Sequence, residues 1–247
     1  QEYVATAFRT AMSGRPGPVH LTLPMDIQEQ IIDESDITTY QPQEYRAMGK
    51  SQGDPTDIQE AIRILANSSK PIIIAGNAAR YGIKPEQIEA LVETTGIPIF
   101  TVEQARGLID DNHLLCFGYG DGALNKTAKK MVDADAVLLL GKKLDYRYKF
   151  GHIFNEQAKL IQVDPSPSEI GRNRGVSVGI LGDLGAVVEQ LTQAYSKSAS
   201  NNNLNDWVKE LTKVQEEWRQ ELEDKADGST PMHPIEVFTQ MKHLIDE

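Results

Sequence analysis

Ala136-Val137-Leu138-Leu139-Leu140-Gly141 is an unbroken apolar run closed by a glycine. It has no polar face, so it reads as a strand covered on both sides rather than one face of a half-wet sheet. The same pattern recurs on either side of it. Upstream lie Pro71-Ile72-Ile73-Ile74-Ala75-Gly76 and Ile97 to Thr101; downstream lie Leu160-Ile161-Gln162-Val163-Asp164 and Val176 to Leu181. Amphipathic helical segments separate the runs. Asp54 is an N-cap with Pro55 at the first helical position, and Ile58, Ile62 and Leu65 form the stripe that follows. Pro85 to Thr95 buries Ile88, Leu91 and Val92 and is stopped by Gly96. Gly182-Asp183 opens a helix carrying Val187, Val188, Leu191 and Tyr195 on one face. Apolar strands alternating with such helices predict an α/β domain over residues 54–196, a Rossmann-like doubly wound parallel sheet joined by right-handed crossovers.

Flanking segments extend this domain. Residues 1–12 read as a helix with Val4, Ala7, Phe8 and Ala11 at helical spacing. Ser13-Gly14-Arg15-Pro16-Gly17-Pro18 then forms a rigid turn into an expected strand, Val19 to Leu23. A strand needs partners, and none can be assembled from what precedes it, so the chain reads as part of something longer. Residues 27–53 are polar and without sustained period, as in a linker, and Ser196 to Asn205 is a Ser/Asn-rich linker. Beyond it Trp207, Leu211, Val214, Trp218 and Leu222 share a helical face. This is a packing stripe whose partner is expected outside the chain. Pro231-Met232-His233-Pro234 starts a last helix with Val237, Phe238, Met241 and Leu244.

Composition narrows the function. With 247 residues and 40% apolar content, the chain can bury a sizeable core. No apolar run approaches the roughly 20 residues of a membrane helix, and the first residues read as helix rather than apolar leader. A net charge of −11 and the lack of a basic stripe argue against nucleic acid. The five histidines show no metal spacing. The single cysteine, Cys116, excludes an internal disulfide and fits a cytoplasmic compartment.

In open parallel sheets, ligands sit beyond the carboxyl ends of the strands. The chemically suggestive residues fall there. Gly76, Asn77 and Ala78 follow the first strand, and Thr101, Glu103 and Gln104 close the second. Gly141 closes the third, with Asp145 and Arg147 soon after; Asp164 ends the fourth and Asp183 caps the last helix of the domain. Glycines there allow close backbone approach, a carboxylate can hold ribose hydroxyls, and a guanidinium can clamp a pyrophosphate. Each residue also has an ordinary use as turn, cap or surface pair. The first strand is followed by Ala75-Gly76-Asn77-Ala78-Ala79-Arg80, with a single glycine in place of Gly-x-Gly-x-x-Gly. Together with the lack of a histidine–acid pair, this disfavours a dehydrogenase.

Several of these stretches carry a resemblance. Ala7-Phe8-Arg9 through Met25-Asp26, with its Gly-Arg-Pro-Gly-Pro-Val, resembles the end of the first domain of thiamine-diphosphate-dependent enzymes of the acetolactate synthase family. Lys70-Pro71 to Ala78, Thr95 to Ile99, Ala134 to Gly141, Leu144-Asp145, Ile161 to Asp164 and Gly182-Asp183 are similar to their central domain, in order and spacing, over nearly the whole chain. Lys143 to Gly151 is similar to the oxalyl-CoA decarboxylase and 2-hydroxyacyl-CoA lyase branch. Some relatives hold FAD in this domain, as in acetolactate synthase; others hold ADP, as in oxalyl-CoA decarboxylase, and some hold nothing. Carried over by position, the resemblance implies FAD-type contacts at Arg15, Gly76, Asn77, Ala78, Gln104, Gly141, Asp145, Arg147, Val163 and Asp183, with Asp164 added from its strand end. FAD-binding members have Gly-Ala-Arg after the strong strand, whereas Gly141-Lys142-Lys143 stands here, and lysine does not replace a planar bidentate arginine. FAD, ADP and an empty site therefore stay open.

Gly120-Asp121-Gly122 looks like the Gly-Asp-Gly that begins the family's thiamine-diphosphate and magnesium motif. That motif needs an asparagine about two dozen residues on, so that both oxygens reach one ion. Leu138 to Lys149 contains none, and a plain glycine loop is expected. The resemblance divides the chain into the tail of a pyrimidine-binding domain (1–35), a linker (36–53), the central domain (54–196), and a linker with the first helices of a diphosphate-binding domain (197–247). It implies a homo-oligomeric parent, dimer or tetramer, that uses thiamine diphosphate and Mg2+ to decarboxylate or ligate 2-keto acids. The chain itself is expected to carry no catalytic residue and no metal ligand. The rival readings are a free-standing nucleotide-binding module and a ligand-free structural spacer.

Overall fold

The structure, a computed structural model, describes residues 1–198, 204–228, 230–241 and 244. Part of the expected 196–205 linker, residues 199–203, lies outside the described residues. Three short α-helical pieces precede the central domain: α1 (Glu2–Ala11), α2 (Met25–Gln28) and α3 (Pro42–Tyr45). The domain then runs α4 (Pro55–Ala66), β1 (Pro71–Ala75), α5 (Ala79–Gly82), α6 (Pro85–Thr95), β2 (Ile99–Thr101), β3 (Cys116–Tyr119), β4 (Ala136–Leu140), β5 (Lys159–Asp164), β6 (Val178–Leu181) and α7 (Leu184–Lys197). Helices α8 (Asn205–Glu223) and α9 (Pro234–Met241) follow.

The six strands form one parallel sheet in the order β3-β2-β1-β4-β5-β6. This is the doubly wound arrangement that the sequence predicts. Ile73 of β1 lies between Ile99 of β2 and Leu138 of β4. Side chains alternate across the sheet, so each apolar run feeds both faces. Ile73, Ala75, Leu138, Leu140, Ile161 and Val163 face α4, α6 and α7 in one core. Ile72, Ile74, Val137, Leu139 and Leu160 face the other, against Phe100, Phe117, Met131, Tyr148 and Phe154.

Helix boundaries follow their capping chemistry. The Asp54 carboxylate accepts the Thr56 N–H at 2.7 Å, and the Asp183 carboxylate accepts the Ala186 N–H at 3.1 Å. Gly96 ends α6 in a left-handed conformation, φ +67°.

Four expectations need correction. Val19 to Leu23 is extended but pairs with no strand among the described residues, and Val19, Leu21 and Leu23 are exposed. An extended segment without a ladder partner has its backbone hydrogen bonds open to water and is no strand. An edge strand unforeseen from the sequence, β3, pairs with β2 through an irregular register. The last strand begins at Val178 rather than Val176. Finally, the Trp207 stripe has its partner within the chain. Trp207 and Leu211 are buried in the second core, and the Trp207 indole N–H donates to the Pro71 carbonyl at 3.1 Å. The physical reason is vacant space. The crossovers on that face pass through short 3-10 turns, Thr127–Asp133 and Tyr146–Gly151, which cannot cover a sheet face alone.

Candidate functional site

Strand order reverses between β1 and β4, and the loops leaving these two strands diverge there. Gly76 and Gly141 start those loops. The Gly76 N–H donates to the Leu140 carbonyl at 2.9 Å, and the Gly141 N–H to the Val163 carbonyl at 2.9 Å. A Cβ at Gly76 would sit 2.6 Å from the Lys142 Cα. At Gly141, whose φ is +61°, it would sit 2.8 Å from the Ala78 Cβ. The two glycines therefore let the loops close on each other. Their freedom is used in that packing.

Arg15 reaches this junction from the Gly14–Pro18 turn. Its Nε and Nη2 donate to the Asp164 carboxylate at 3.0 and 2.6 Å, and Nη2 also donates to the Gly141 carbonyl at 2.9 Å. Asp164 is fully buried and accepts the Ser166 N–H at 3.0 Å as well. A two-point guanidinium–carboxylate pair removed from water is among the stronger polar contacts a protein makes. Arg15 and Asp164, expected to face phosphate and ribose, face each other and dock the turn on the sheet end.

A second network lies beside it. Lys142 is buried, with its ammonium 2.6 Å from the Asp145 carboxylate, 3.6 Å from Glu103 and 5.0 Å from the Tyr148 ring centre. Burial lowers the Lys142 pKa, and the Asp145 hydrogen bond works against that shift. Arg147 pairs with Glu103, which is held in a left-handed conformation at φ +54°. Desolvation raises the Tyr148 phenol well above its ordinary value.

Over this floor lies a cleft of about 690 Å3. The Arg15–Pro18 turn forms one wall and Asn77, Ala78 and Tyr81 the other, with Gln104 and Lys143 at its margin. The Asn77 side-chain oxygen accepts the Gln104 N–H at 3.2 Å, which ties the β1 and β2 loops together. Lys143 pairs with Glu169 at 3.0 Å.

The eleven sequence-based candidates thus separate by place. Arg15, Asn77, Ala78 and Gln104 line the cleft. Gly76, Gly141, Val163 and Asp164 form the junction of the strand ends. Asp145 and Arg147 belong to the Lys142 network. Asp183 lines a different hollow, beside Gly14 and Pro165. Tyr81 was not singled out in the sequence. It lies within α5, a helix of one turn that is too short for periodicity to mark.

The Gly120-Asp121-Gly122 loop is an ordinary turn. The Asp121 carboxylate accepts the Ala123 N–H at 2.8 Å, and Asn125 donates to the Phe117 and Tyr119 carbonyls at 2.7 and 2.9 Å. Both side chains are committed locally, so these residues do not fit a diphosphate-bound magnesium ion. Among the described residues, the one group spaced to share a cation is Glu89, Glu93 and His113. There the His113 Nδ1 accepts the Leu115 N–H at 3.2 Å. Nε2 lies 4.0 Å from Glu93, beyond hydrogen-bond reach, so the ring is tied to its own loop through Nδ1.

Comparison with known proteins places this geometry. Residues 58–191 match the family described as thiamine pyrophosphate enzyme, central domain. The chain is 30% identical over 261 aligned residues to a probable acetolactate synthase large subunit of Methanococcus aeolicus, covering 100% of this chain and 42% of that protein. It is 30% identical over 244 residues to an acetolactate synthase of Mycobacterium avium, covering 96% of this chain and 39% of the relative. An oxalyl-CoA decarboxylase of Escherichia coli K12 is 26% identical over 244 residues, covering 98% and 42%. The chain therefore spans about two fifths of the length of these relatives. With the sheet order, the reversal between β1 and β4 and the match over residues 58–191, the chain belongs to the central-domain family of the thiamine pyrophosphate enzymes.

Proposed function

We propose that this chain supplies the central domain of a thiamine-diphosphate-dependent 2-keto acid decarboxylase or carboligase, that it holds no catalytic residue itself, and that its cleft takes an adenine nucleotide. The observation that carries the ligand reading is the cleft at the strand-order reversal, where doubly wound folds bind nucleotides. Tyr81 offers a ring to stack, Asn77 and Gln104 offer amides, and Lys143 offers a cation at the rim. Arg15, Asn77, Ala78 and Gln104 are the contacts in this reading, while Asp145 pairs with Lys142 and Arg147 with Glu103, outside the cleft lining. ADP suits the site better than FAD. Lys142 turns inward to Asp145, and Lys143 presents a point charge where FAD-binding relatives carry a planar guanidinium.

Calorimetric titration of the protein with ADP and with FAD tests this. ADP is expected to bind the more tightly. Lys143→Ala is expected to weaken it by roughly 1 kcal/mol, the upper end for an exposed pair, and Arg147→Ala to leave it unchanged. Tighter binding of FAD would overturn the choice of ligand. One observation favours a ligand-free spacer instead: Arg15, Arg147 and Lys143 each already have a carboxylate partner. Binding of neither nucleotide would support that reading.

A further inference from the structure

On the far side of the Arg15–Asp164 pair lies a separate hollow of about 330 Å3. Three cations from three parts of the chain line it: Arg9 of α1, Arg46 just after α3, and Lys50 on the approach to α4. Arg9 is held in place by the Tyr45 carbonyl, to which its Nε donates at 2.6 Å. That contact brings Arg9 beside the neighbouring Arg46. The Arg9 Nη2 lies 3.4 Å from Glu2 at the surface, and Lys50 lies 3.6 Å from Asp183. Among the described residues Arg46 has no carboxylate partner, and its buried Nε has no hydrogen-bond partner. Buried guanidinium nitrogens in native proteins are paired, so this one marks a missing partner. The Asp183 carboxylate on the same wall accepts the Ala186 N–H as the cap of α7, which draws its charge toward the helix.

With Glu2 on Arg9 and Asp183 on Lys50, Arg46 is the cation left without a counter-charge, in a hollow that gathers three cations in a chain of net charge −11. We propose that the hollow lined by Arg9, Arg46 and Lys50 binds a phosphate group. Two guanidiniums favour phosphate, whose oxygens accept paired N–H donors, over a simple halide. The ion comes either free or as a phosphate of a nucleotide that reaches across the Arg15–Asp164 ridge. The proposal stands independently of the nucleotide reading of the cleft, because the two hollows have no lining residue in common.

Inorganic phosphate titrated into the full chain and followed by 31P line width tests it. Saturable broadening is expected. Arg46→Gln should weaken it by about tenfold and Lys50→Gln by less, given the strength of hydrogen bonds to charged groups. Circular dichroism on both variants checks that folding is intact, so that loss of binding is not loss of structure. Simultaneous binding of phosphate and ADP identifies a free ion as the ligand. Competition between them that vanishes in Arg46→Gln identifies a nucleotide phosphate. No broadening, equal broadening in Arg46→Gln, or loss in Lys143→Ala alone would overturn the proposal; the last would place the ion in the cleft.

Discussion

Lys142 shows how a single side chain is constrained by where its neighbours put it. It lies buried at the exit of β4 with Asp145, Glu103 and the Tyr148 ring around it. A buried pair adds little over apolar residues of the same volume, but breaking it strands a charge. Replacing both partners, Lys142→Met with Asp145→Leu, is therefore expected to leave stability nearly unchanged, whereas Asp145→Ala alone should cost about 2–3 kcal/mol, below the fully buried range because Asp145 is partly exposed. Urea denaturation of both variants measures this. The sign of the pH dependence follows from the lowered Lys142 pKa. Between that value and the ordinary 10.5, the unfolded chain binds more protons than the folded one, so stability rises with pH across the window. Denaturation midpoints between neutral pH and pH 10 should show a rise in the parent protein that is reduced in Lys142→Met. Gly141→Ala combines a left-handed backbone with a Cβ too close to Ala78 and Leu184, and should destabilise by about 3 kcal/mol in the same assay.

Helix α8 is the element whose position matters most for the second core. Its first turns bury Trp207 and Leu211 in the second core, against the 3-10 turn at Thr127–Asp133 and β3, with the indole hydrogen-bonded to Pro71 of β1. Glu210 bridges Lys130 at 2.6 Å and Lys70 at 3.0 Å, so cations from two other elements hold the helix by its side. Trp207→Ala removes a large buried ring and a hydrogen bond, and should cost about 3–5 kcal/mol. Hydrogen exchange should then show lost protection in α8 and in β1, where Pro71 accepts the indole N–H; unchanged protection would mean that the helix docks without that ring. Hydrogen bonds from Lys130 and then Lys70 hold the Glu210 pKa below its ordinary 4.5. Their stabilisation is present above that value and lost as pH falls through the lowered one. These side chains are about one-third exposed, so the effect is a fraction of a kcal/mol.

At the scale of the whole molecule, Arg15 and Asp164 join parts of the chain 149 residues apart. The Gly14–Pro18 turn owes its place on the sheet to that pair and to the Gly141 carbonyl. Asp164→Asn should therefore free residues 13–18 to exchange faster while protection in β1 and β4 stays high, a contrast that hydrogen exchange reads directly. A ligand that binds only the folded cleft stabilises by mass action. Saturating ADP at about a hundred times its dissociation constant should add about 2.7 kcal/mol to unfolding, which a thermal melt would register as a raised midpoint.

The parallel sheet, its capped helices and the family were legible in the chain itself. Strands such as Ile72-Ile73-Ile74 and Val137-Leu138-Leu139-Leu140 are apolar on both faces, a pattern that only a sheet covered on both sides can bury. Asp54, Asp183 and Gly96 act within a few residues of themselves, so their roles need no tertiary context. The four-residue edge strand β3, the docking of α8 and the mutual pairing of Arg15 with Asp164 were decided only by the tertiary structure. A short edge strand is defined by its neighbour, an amphipathic stripe does not name the surface it covers, and a charge finds its partner by distance in space. Sequence order therefore marked the strand ends as the site. Three-dimensional packing determined that their glycines serve loop closure and that Tyr81 and Lys143 face the cleft.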